Sequence, residues 1–259
     1  MTALDDVSVS LITLNEEHNL RDCLDSVTWA GEIVVVDSFS SDRTVEIAKE
    51  YTDKVYQRRW TGINDQRNFA LSKATRPWVL CIDADERVSP ELRDEIGRVL
   101  ASPDGPVCGY MVPRLNYYFG RWMKHGGWYP NLRLRLFRRD RCRFGDNDPH
   151  DLVLLDGPTK TLRGDLLHYS FESFEDQIER TNRYSEERAQ VMYRKGVRLV
   201  VPRMIASPLA NFVKAYMLQL GLLDGRQGFI AAVMSSFHAF LKYAKLYELL
   251  HSPHKERPE

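Results

Sequence analysis

The chain has 259 residues, of which 43% are hydrophobic and 28% are charged. This length and composition exclude a disordered chain and a purely membrane-embedded one, and they are sufficient for a sizeable core. The 36 basic and 36 acidic side chains give a formal net charge of zero, which argues against a nucleic-acid partner.

The first hundred residues alternate apolar runs with helical patterns. Buried strands are predicted at residues 7–14, 33–36 and 78–82. Helices are predicted at residues 17–27, from Ser40 or Ser41 as N-cap to residue 51, at 63–73, and from Ser89-Pro90 to residue 100. Such alternation indicates parallel strands with crossover helices, so the fold class is predicted to be α/β.

The middle of the chain is rich in arginine. Residues 114–143 carry nine basic side chains and one acidic side chain. Leucine and arginine alternate over residues 132–136, which predicts a strand with Arg133 and Arg135 on its polar face. Guanidinium groups there could bind the phosphates of a donor or an acceptor, and a solvated strand face is the alternative. Further short strands are predicted at residues 151–155 and 165–169.

The last part of the chain is helical, with helices predicted at residues 174–193, 209–223 and 228–250. An apolar stripe that includes Phe229, Val233, Phe237 and Phe240 is expected to pack mostly against the other helices. Residues 190–259 also carry ten basic and four acidic side chains, which favours contact with an anionic membrane surface. We therefore predict a catalytic domain over residues 1–172 and a helical, membrane-associated region over residues 173–259.

Neither the start of the sequence nor its longest apolar stretch resembles a targeting or spanning segment. Asp5 and Asp6 stand where a signal peptide would have a basic start, and residues 227–241 are shorter than the roughly 20 residues of a spanning helix. The four cysteines show no metal-site spacing. We expect a cytoplasmic protein that is peripheral on the cytoplasmic face of the inner membrane.

Carboxylates follow two of the predicted strands. Asp83 and Asp85 come directly after residues 78–82, at the sheet edge where open α/β sheets bind ligands. Their oxygens suit Mg²⁺ or Mn²⁺, which can hold a diphosphate, and a capped turn is the alternative. Asp146 and Asp148 have the same spacing but follow no apolar strand. Asp37 follows residues 33–36, where an Asx turn is the alternative to contact with a base or ribose.

Several segments, taken in order, resemble family 2 glycosyltransferases, and most of all the lipopolysaccharide core β-1,4-glucosyltransferases. They are Thr13-Leu14-Asn15-Glu16, Val35-Val36-Asp37-Ser38, Ser41-Asp42-Arg43-Thr44, Gln66-Arg67-Asn68-Phe69-Ala70, Asp83-Ala84-Asp85-Glu86, Pro130-Asn131 with Arg133, Arg135-Leu136-Phe137, and Gly221-Leu222-Leu223-Asp224-Gly225 with Gly228. The resemblance covers nearly the whole chain. Each motif alone is a weak signal, whereas the ordered set is strong.

The resemblance implies a GT-A fold and an inverting transfer from a nucleotide-diphosphosugar. The residues that it assigns to donor binding are Thr13, Leu14, Asn15, Glu16, Asp37 and Arg67 for the nucleoside and Asp83 near the ribose, with Ala84 beside it. Arg133 and Arg135 stay candidates for the donor diphosphate or a phosphorylated acceptor. Asp85 would ligate a divalent cation, Mg²⁺ or Mn²⁺. His168 is a candidate further ligand, with a core histidine as the alternative.

The catalytic base is assigned by the same resemblance. Where the subgroup has Val-His-Glu, this chain has Pro149-His150-Asp151, so Asp151 is the candidate base that removes the proton of the acceptor hydroxyl. The Asp151 side chain is one carbon shorter than the glutamate of the subgroup. Asp148 is the second candidate for the base, and a surface turn without a catalytic role is the alternative.

The expected function is the transfer of a hexose, glucose from UDP-glucose, to a lipopolysaccharide inner-core or similar lipid-linked saccharide. The alternatives are transfer to a polyprenyl phosphate and a non-catalytic nucleotide-sugar-binding protein. The presence of Asp83, Asp85 and an acidic residue at position 151 argues against a non-catalytic role.

Overall fold

A computed structural model gives the structure of residues 2–102, 105–145, 153–171 and 173–251. The chain divides into a sheet unit, residues 1–115 with 131–168, and a helical unit, residues 116–130 with 169–259. The predicted domain boundary at residue 172 remains a prediction. Among the described residues, no helix is both long and apolar enough to cross a membrane.

The strands are β1 Val7–Thr13, β2 Glu32–Asp37, β3 Val55–Gln57, β4 Trp78–Cys81, β5 Glu86–Val88, β6 Gly109–Tyr118, β7 Arg121–Met123, β8 Asn131–Arg138, β9 Cys142–Phe144, β10 Val153–Leu155, β11 Thr159–Thr161 and β12 Leu166–Tyr169. The helices are α1 Glu17–Asp25, α2 Thr44–Tyr51, α3 Ile63–Lys73, α4 Pro90–Ala101, α5 Phe174–Arg194, α6 Val201–Phe212 and α7 Gly225–His251.

The main sheet has the strand order β3-β2-β1-β4-β8-β6-β12-β5, with β7 and β11 paired to β6. Strands β3, β2, β1 and β4 are parallel, whereas β8 runs antiparallel to β4 and to β6. The predicted α/β class is therefore confirmed. Because β1, β2 and β4 are parallel neighbours, the loops that follow them meet at one edge of the sheet.

The start of α2 differs from the prediction. The helix begins at Thr44, and neither Ser40 nor Ser41 caps it. Instead, the Asp42 carboxylate accepts a hydrogen bond from the Thr44 N–H at 3.0 Å. The two serine hydroxyl groups are used elsewhere, because they bind side chains of the β1 and β2 loops.

The alternation over residues 132–136 also fails to predict which side chains are buried. Leu132 is exposed, whereas Arg135 is only 2% exposed. The reason is a register shift in the β6–β8 pair: Met111 lies opposite Leu134, but Tyr110 lies opposite Leu136, so Arg135 is the additional residue of a β-bulge. The bulge turns Arg135 inward, and Arg133 and Arg135 do not share one polar face.

In the helical unit, the helix predicted at residues 209–223 begins earlier, at Val201. It continues from α6 into a π-helical segment, Val213–Leu218, and a 3-10 turn, Gly221–Asp224. Gly228 allows α7 to approach this turn, because a Cβ atom there would lie 1.8 Å from the Gly221 carbonyl oxygen.

The packing predicted for α7 is wrong in detail. Phe229, Phe237 and Phe240 remain substantially exposed. The buried face is formed largely by small residues together with a few large ones, namely Gly228, Ala231, Ala232, Met234, Ala239, Tyr243 and Leu246. Small side chains let neighbouring helices approach closely, so the aromatic stripe is displaced toward the surface.

Candidate active site

Asp37 lies at the end of β2, opposite Thr13 at the end of β1. Its carboxylate is completely buried. It accepts hydrogen bonds from Thr13 Oγ1 at 3.2 Å, from the Ser40 N–H at 2.9 Å, from Gln57 Nε2 at 3.4 Å, and from the Ser40 hydroxyl. These four contacts account for about four acceptor positions of a carboxylate, so Asp37 organises the loop after β2. Direct contact of Asp37 with a nucleoside remains a prediction.

Residues 13–16 are joined to the loop after β2 by a series of hydrogen bonds. The Asn15 side chain accepts from the Ser41 N–H at 2.8 Å, and the Asn15 N–H donates to Ser40 Oγ at 2.8 Å. The Glu16 N–H donates to Thr44 Oγ1 at 2.8 Å. Asn15 adopts a positive φ of 55°, a conformation that asparagine tolerates better than most residues. The first predicted donor-binding segment is thus a structured loop.

Asp83 lies between two arginines. Arg67 of α3 approaches one carboxylate oxygen at 2.7 Å, and Arg135 approaches the other at 2.7 Å. Both arginine side chains are 3% exposed, and the Arg67 guanidinium also lies 5.7 Å from the centre of the Phe144 ring. Partial burial opposes ionisation of Asp83, but the positive charges of Arg135 and Arg67 outweigh it and hold the pKa of Asp83 well below its usual range.

Glu86 completes this charge network, although no feature of the sequence alone assigns it a separate role. It is fully buried, and it accepts from Arg135 at 2.7 Å and from Arg114 at 3.3 Å. Its other oxygen accepts the Asp83 N–H at 3.0 Å. Glu86 therefore holds both the backbone of the Asp83 loop and the bulged Arg135. The only sequence signal was its place in Asp83-Ala84-Asp85-Glu86.

Asp85 has a different environment from Asp83. Its Oδ2 lies 3.2 Å from His168 Nε2, and both side chains are largely buried. Its Oδ1 is buried and has no hydrogen-bond partner among the described residues. An unpartnered buried carboxylate oxygen carries a desolvation cost that a cation or donor would offset. The structure thus brings the two predicted metal ligands together.

The cation would receive few protein ligands here. Within the described ranges, no group of three or more histidine, cysteine, aspartate or glutamate side chains is arranged to hold a metal. A two-residue set, Asp85 and His168, still fits Mg²⁺ or Mn²⁺, since such ions often bind one or two protein groups together with substrate phosphates. Metal binding by these residues remains a prediction.

The remaining predicted site residues have varied surroundings. Leu14 is exposed, whereas Ala84 is buried in the core of the sheet unit. Arg133 is exposed on β8, unlike Arg135. The candidate base Asp151, its neighbour His150 and the second candidate Asp148 lie outside the described residues.

The mixed sheet, with carboxylates and arginines at the edge that follows its parallel strands, has the arrangement of a GT-A fold. A family model described as "Glycosyl transferase family 2" matches residues 8–156. The mannosyltransferase PcManGT from Pyrobaculum calidifontis, solved with GDP-Man and Mn²⁺, has a similar fold at a TM-score of 0.55 and 15% identity, over 93% of this chain and 87% of that one. The GT-A fold is thereby confirmed.

Two curated relatives extend this likeness along the chain. "Lipopolysaccharide core biosynthesis glycosyltransferase LpsC" of Rhizobium meliloti (strain 1021) is 32% identical over 93% of this chain and 92% of its own length. An uncharacterised glycosyltransferase of Rickettsia typhi (strain ATCC VR-144 / Wilmington) is 33% identical over 94% and 87%. The chain belongs to glycosyl transferase family 2.

Proposed function

We propose that this chain is an inverting, divalent-cation-dependent transferase that moves glucose from UDP-glucose to a lipopolysaccharide inner-core saccharide. The observation that supports it best is the Asp85 carboxylate, which has one buried oxygen without a partner in the described part of the chain and the other beside His168. Open α/β sheets bind ligands at the edge that follows the carboxyl ends of their strands, so the donor diphosphate and its cation would bind here.

The charges near Asp85 fit such a complex. Arg67, Arg114 and Arg135 are balanced by Asp83, Glu86 and Asp85, so these six groups sum to zero. A bound divalent cation would leave an excess of positive charge, which suits the two negative charges of a nucleotide-sugar diphosphate. The cation would stabilise the departing diphosphate as a Lewis acid.

The protein groups have distinct proposed tasks. Asp85 and His168 would hold the cation, and the loops organised by Asn15 and Asp37 would surround the nucleoside. The network around Glu86 and Arg135 would keep the Asp83–Asp85 turn in place. Asp151 would remove the proton of the acceptor hydroxyl as it attacks the anomeric carbon from the face opposite the diphosphate.

The acceptor and the location follow from the relative's name and from the charge pattern. The LpsC relative is named for lipopolysaccharide core biosynthesis, and it aligns with nearly the whole chain. A lipopolysaccharide core is carried by a lipid, so we propose that the protein acts at the cytoplasmic face of the inner membrane and associates peripherally with its anionic surface.

The test is a donor screen that measures nucleotide release from UDP- and GDP-sugars with Mn²⁺. We expect UDP-glucose to be the preferred donor, and we expect release to rise when a core saccharide ending in heptose is added. Asp151→Asn should lose this acceptor-dependent release while it retains donor binding. No release from any UDP-sugar would overturn the proposal.

The product distinguishes the acceptors. A glucose–heptose linkage that survives mild acid supports the proposed saccharide acceptor. A lipid-extractable product that mild acid cleaves would instead identify polyprenyl phosphate as the acceptor. Tight binding of UDP-glucose without turnover under any condition would identify a non-catalytic nucleotide-sugar-binding protein.

A further inference from the structure

Helix α6 and its π-helical extension have two contrasting faces within the helical unit. One face packs on α7: Ser236 donates a hydrogen bond to the Pro208 carbonyl oxygen at 2.8 Å, and the Phe212 and Tyr216 rings lie 5.9 and 5.7 Å from the Phe229 ring. The other face carries apolar side chains at four-residue spacing, and all of them are exposed. They are Val201, Ile205, Leu209, Val213 and Met217.

The exposure of this stripe is large for aliphatic side chains. Leu209 is 67% exposed and Leu218, at the end of the π-helical segment, is 76% exposed. The apolar surface continues into the turn before α7, where Leu220, Leu222 and Leu223 are also exposed. Contiguous apolar surface of this kind marks an interaction site more often than isolated leucines do.

The charged residues that flank the stripe in the sequence are of one sign. Between Glu187 and Asp224 the sequence has no acidic residue, whereas six residues are basic: Arg188, Arg194, Lys195, Arg198, Arg203 and Lys214. Arg203 and Lys214 are exposed on the same helical segment as the stripe. An exposed apolar face flanked by basic groups complements an anionic lipid surface, where apolar side chains enter the acyl boundary and cations meet the headgroups.

We propose that the segment Val201–Leu218 is the membrane-insertion element of the protein, and that its partner is a bilayer rich in anionic phospholipid. The segment would lie in the plane of the interface, with Ile205, Leu209 and Val213 toward the acyl chains and Arg203 and Lys214 at the headgroups. The inference makes the proposed membrane association specific, but it does not depend on the transfer reaction.

The test is co-sedimentation of the full chain with vesicles of phosphatidylcholine alone or mixed with phosphatidylglycerol. We expect binding to the mixed vesicles only. The double variant Ile205→Glu with Leu209→Glu should weaken binding by at least about 100-fold, because two aliphatic side chains no longer enter the acyl region of the bilayer. Arg203→Gln with Lys214→Gln should weaken it by about 30-fold at low salt.

The matched control is Ile178→Glu with Tyr184→Glu, which changes the charge equally at two exposed apolar positions of α5. The control should retain binding within about threefold, since its charges lie outside the contact. Equal loss in both glutamate pairs, or no binding of the unaltered chain to mixed vesicles, would overturn the proposal. A dimer in light scattering that is dissociated only by Ile205→Glu with Leu209→Glu would also overturn it, because the stripe would then bind a second copy of the chain.

Nucleotide release with a soluble acceptor, measured on the same variants, separates this proposal from the proposed function. The α6 variants should retain release, since their positions are exposed and lie outside the candidate active site. Loss of release without loss of vesicle binding would contradict the assignment of these residues to membrane contact alone.

Discussion

Asp37 and Asp85 are two carboxylates at one edge of the same sheet, and their surroundings are opposite. Asp37 is completely buried and accepts hydrogen bonds from Thr13, Ser40 and Gln57, all of them neutral donors. Asp85 pairs with His168 through one oxygen, while its other oxygen is buried without a partner among the described residues. Carboxylates that follow parallel strands can therefore have opposite surroundings, and the donors that the fold brings to each one distinguish a fully bonded side chain from one with an unbonded oxygen among the described residues.

The largest effect is expected for Asp85→Asn. The amide keeps the shape of the side chain but removes the charge that a divalent cation requires, so we expect Mn²⁺-dependent nucleotide release to fall by at least about 10³-fold. Calorimetric titration with Mn²⁺ in the presence of UDP should show directly that the variant no longer binds the cation.

The control for Asp85→Asn is the melting temperature, which should change little because the variant removes no satisfied buried hydrogen bond from Oδ1. Release that is unchanged in Asp85→Asn would exclude this carboxylate from cation binding. His168→Ala should lower the affinity for Mn²⁺ in the same titration. An unchanged affinity would show that His168 is a core residue and not a metal ligand.

Glu86→Gln tests the network of arginines and carboxylates that surrounds Asp83 and makes its environment different from that of Asp85. Glu86 is fully buried against Arg135 and Arg114, so loss of its charge removes one of the two carboxylates that pair with Arg135 among the described residues. We expect the free energy of unfolding, measured with urea, to fall by about 3 kcal/mol. A matched exposed change, Glu46→Gln, should cost less than about 0.5 kcal/mol. Equal stability in both variants would show that the Glu86 charge is not needed.

Much of the sheet could be predicted from sequence because its early strands are short apolar runs followed by polar loops. β1, β2 and β4 and the helices between them have this pattern, and their parallel pairing follows from the alternation. The short strands β3 and β5 could not be found in the same way, since only three residues define each of them and neither forms an apolar run.

The site could be predicted in position but not in its pairings. The spacing of Asp83 and Asp85 indicates that both lie at the sheet edge. It contains no information that Arg135, which is 52 residues further along the chain than Asp83, pairs with the Asp83 carboxylate. That contact depends on a β-bulge in β8, which the regular Leu–Arg alternation conceals. For the same reason the role of Glu86 could not be predicted, because its partners come from two other strands.

The opposite end of β2 offers a contrast to Asp37. Burial opposes ionisation of Glu32, but hydrogen bonds from Lys54, Ser8 and Thr75 outweigh it and lower the pKa of Glu32 to about 2. Because this pKa lies below that of the unfolded chain, about 4.5, the stabilisation is present above pH 4.5 and is lost as the pH falls toward 2. Glu32→Gln should cost about 2 kcal/mol at neutral pH and should flatten the decline below pH 4.5. An equally steep decline in urea unfolding of both proteins would show that other carboxylates cause it.

The smallest effect is expected for Asp37→Asn. The amide oxygen can accept the bonds from the Ser40 N–H and Gln57, while the hydroxyl groups of Thr13 and Ser40 can rotate to accept from the amide nitrogen. Only the charge assistance is lost, so the free energy of unfolding should fall by about 1 kcal/mol, with nucleotide release close to that of the unaltered chain. Urea unfolding and donor kinetics measured on one preparation separate the two roles of this carboxylate. If release instead falls as far as in Asp85→Asn while stability is retained, Asp37 contacts the donor itself, and its four protein donors must rearrange when the nucleotide binds.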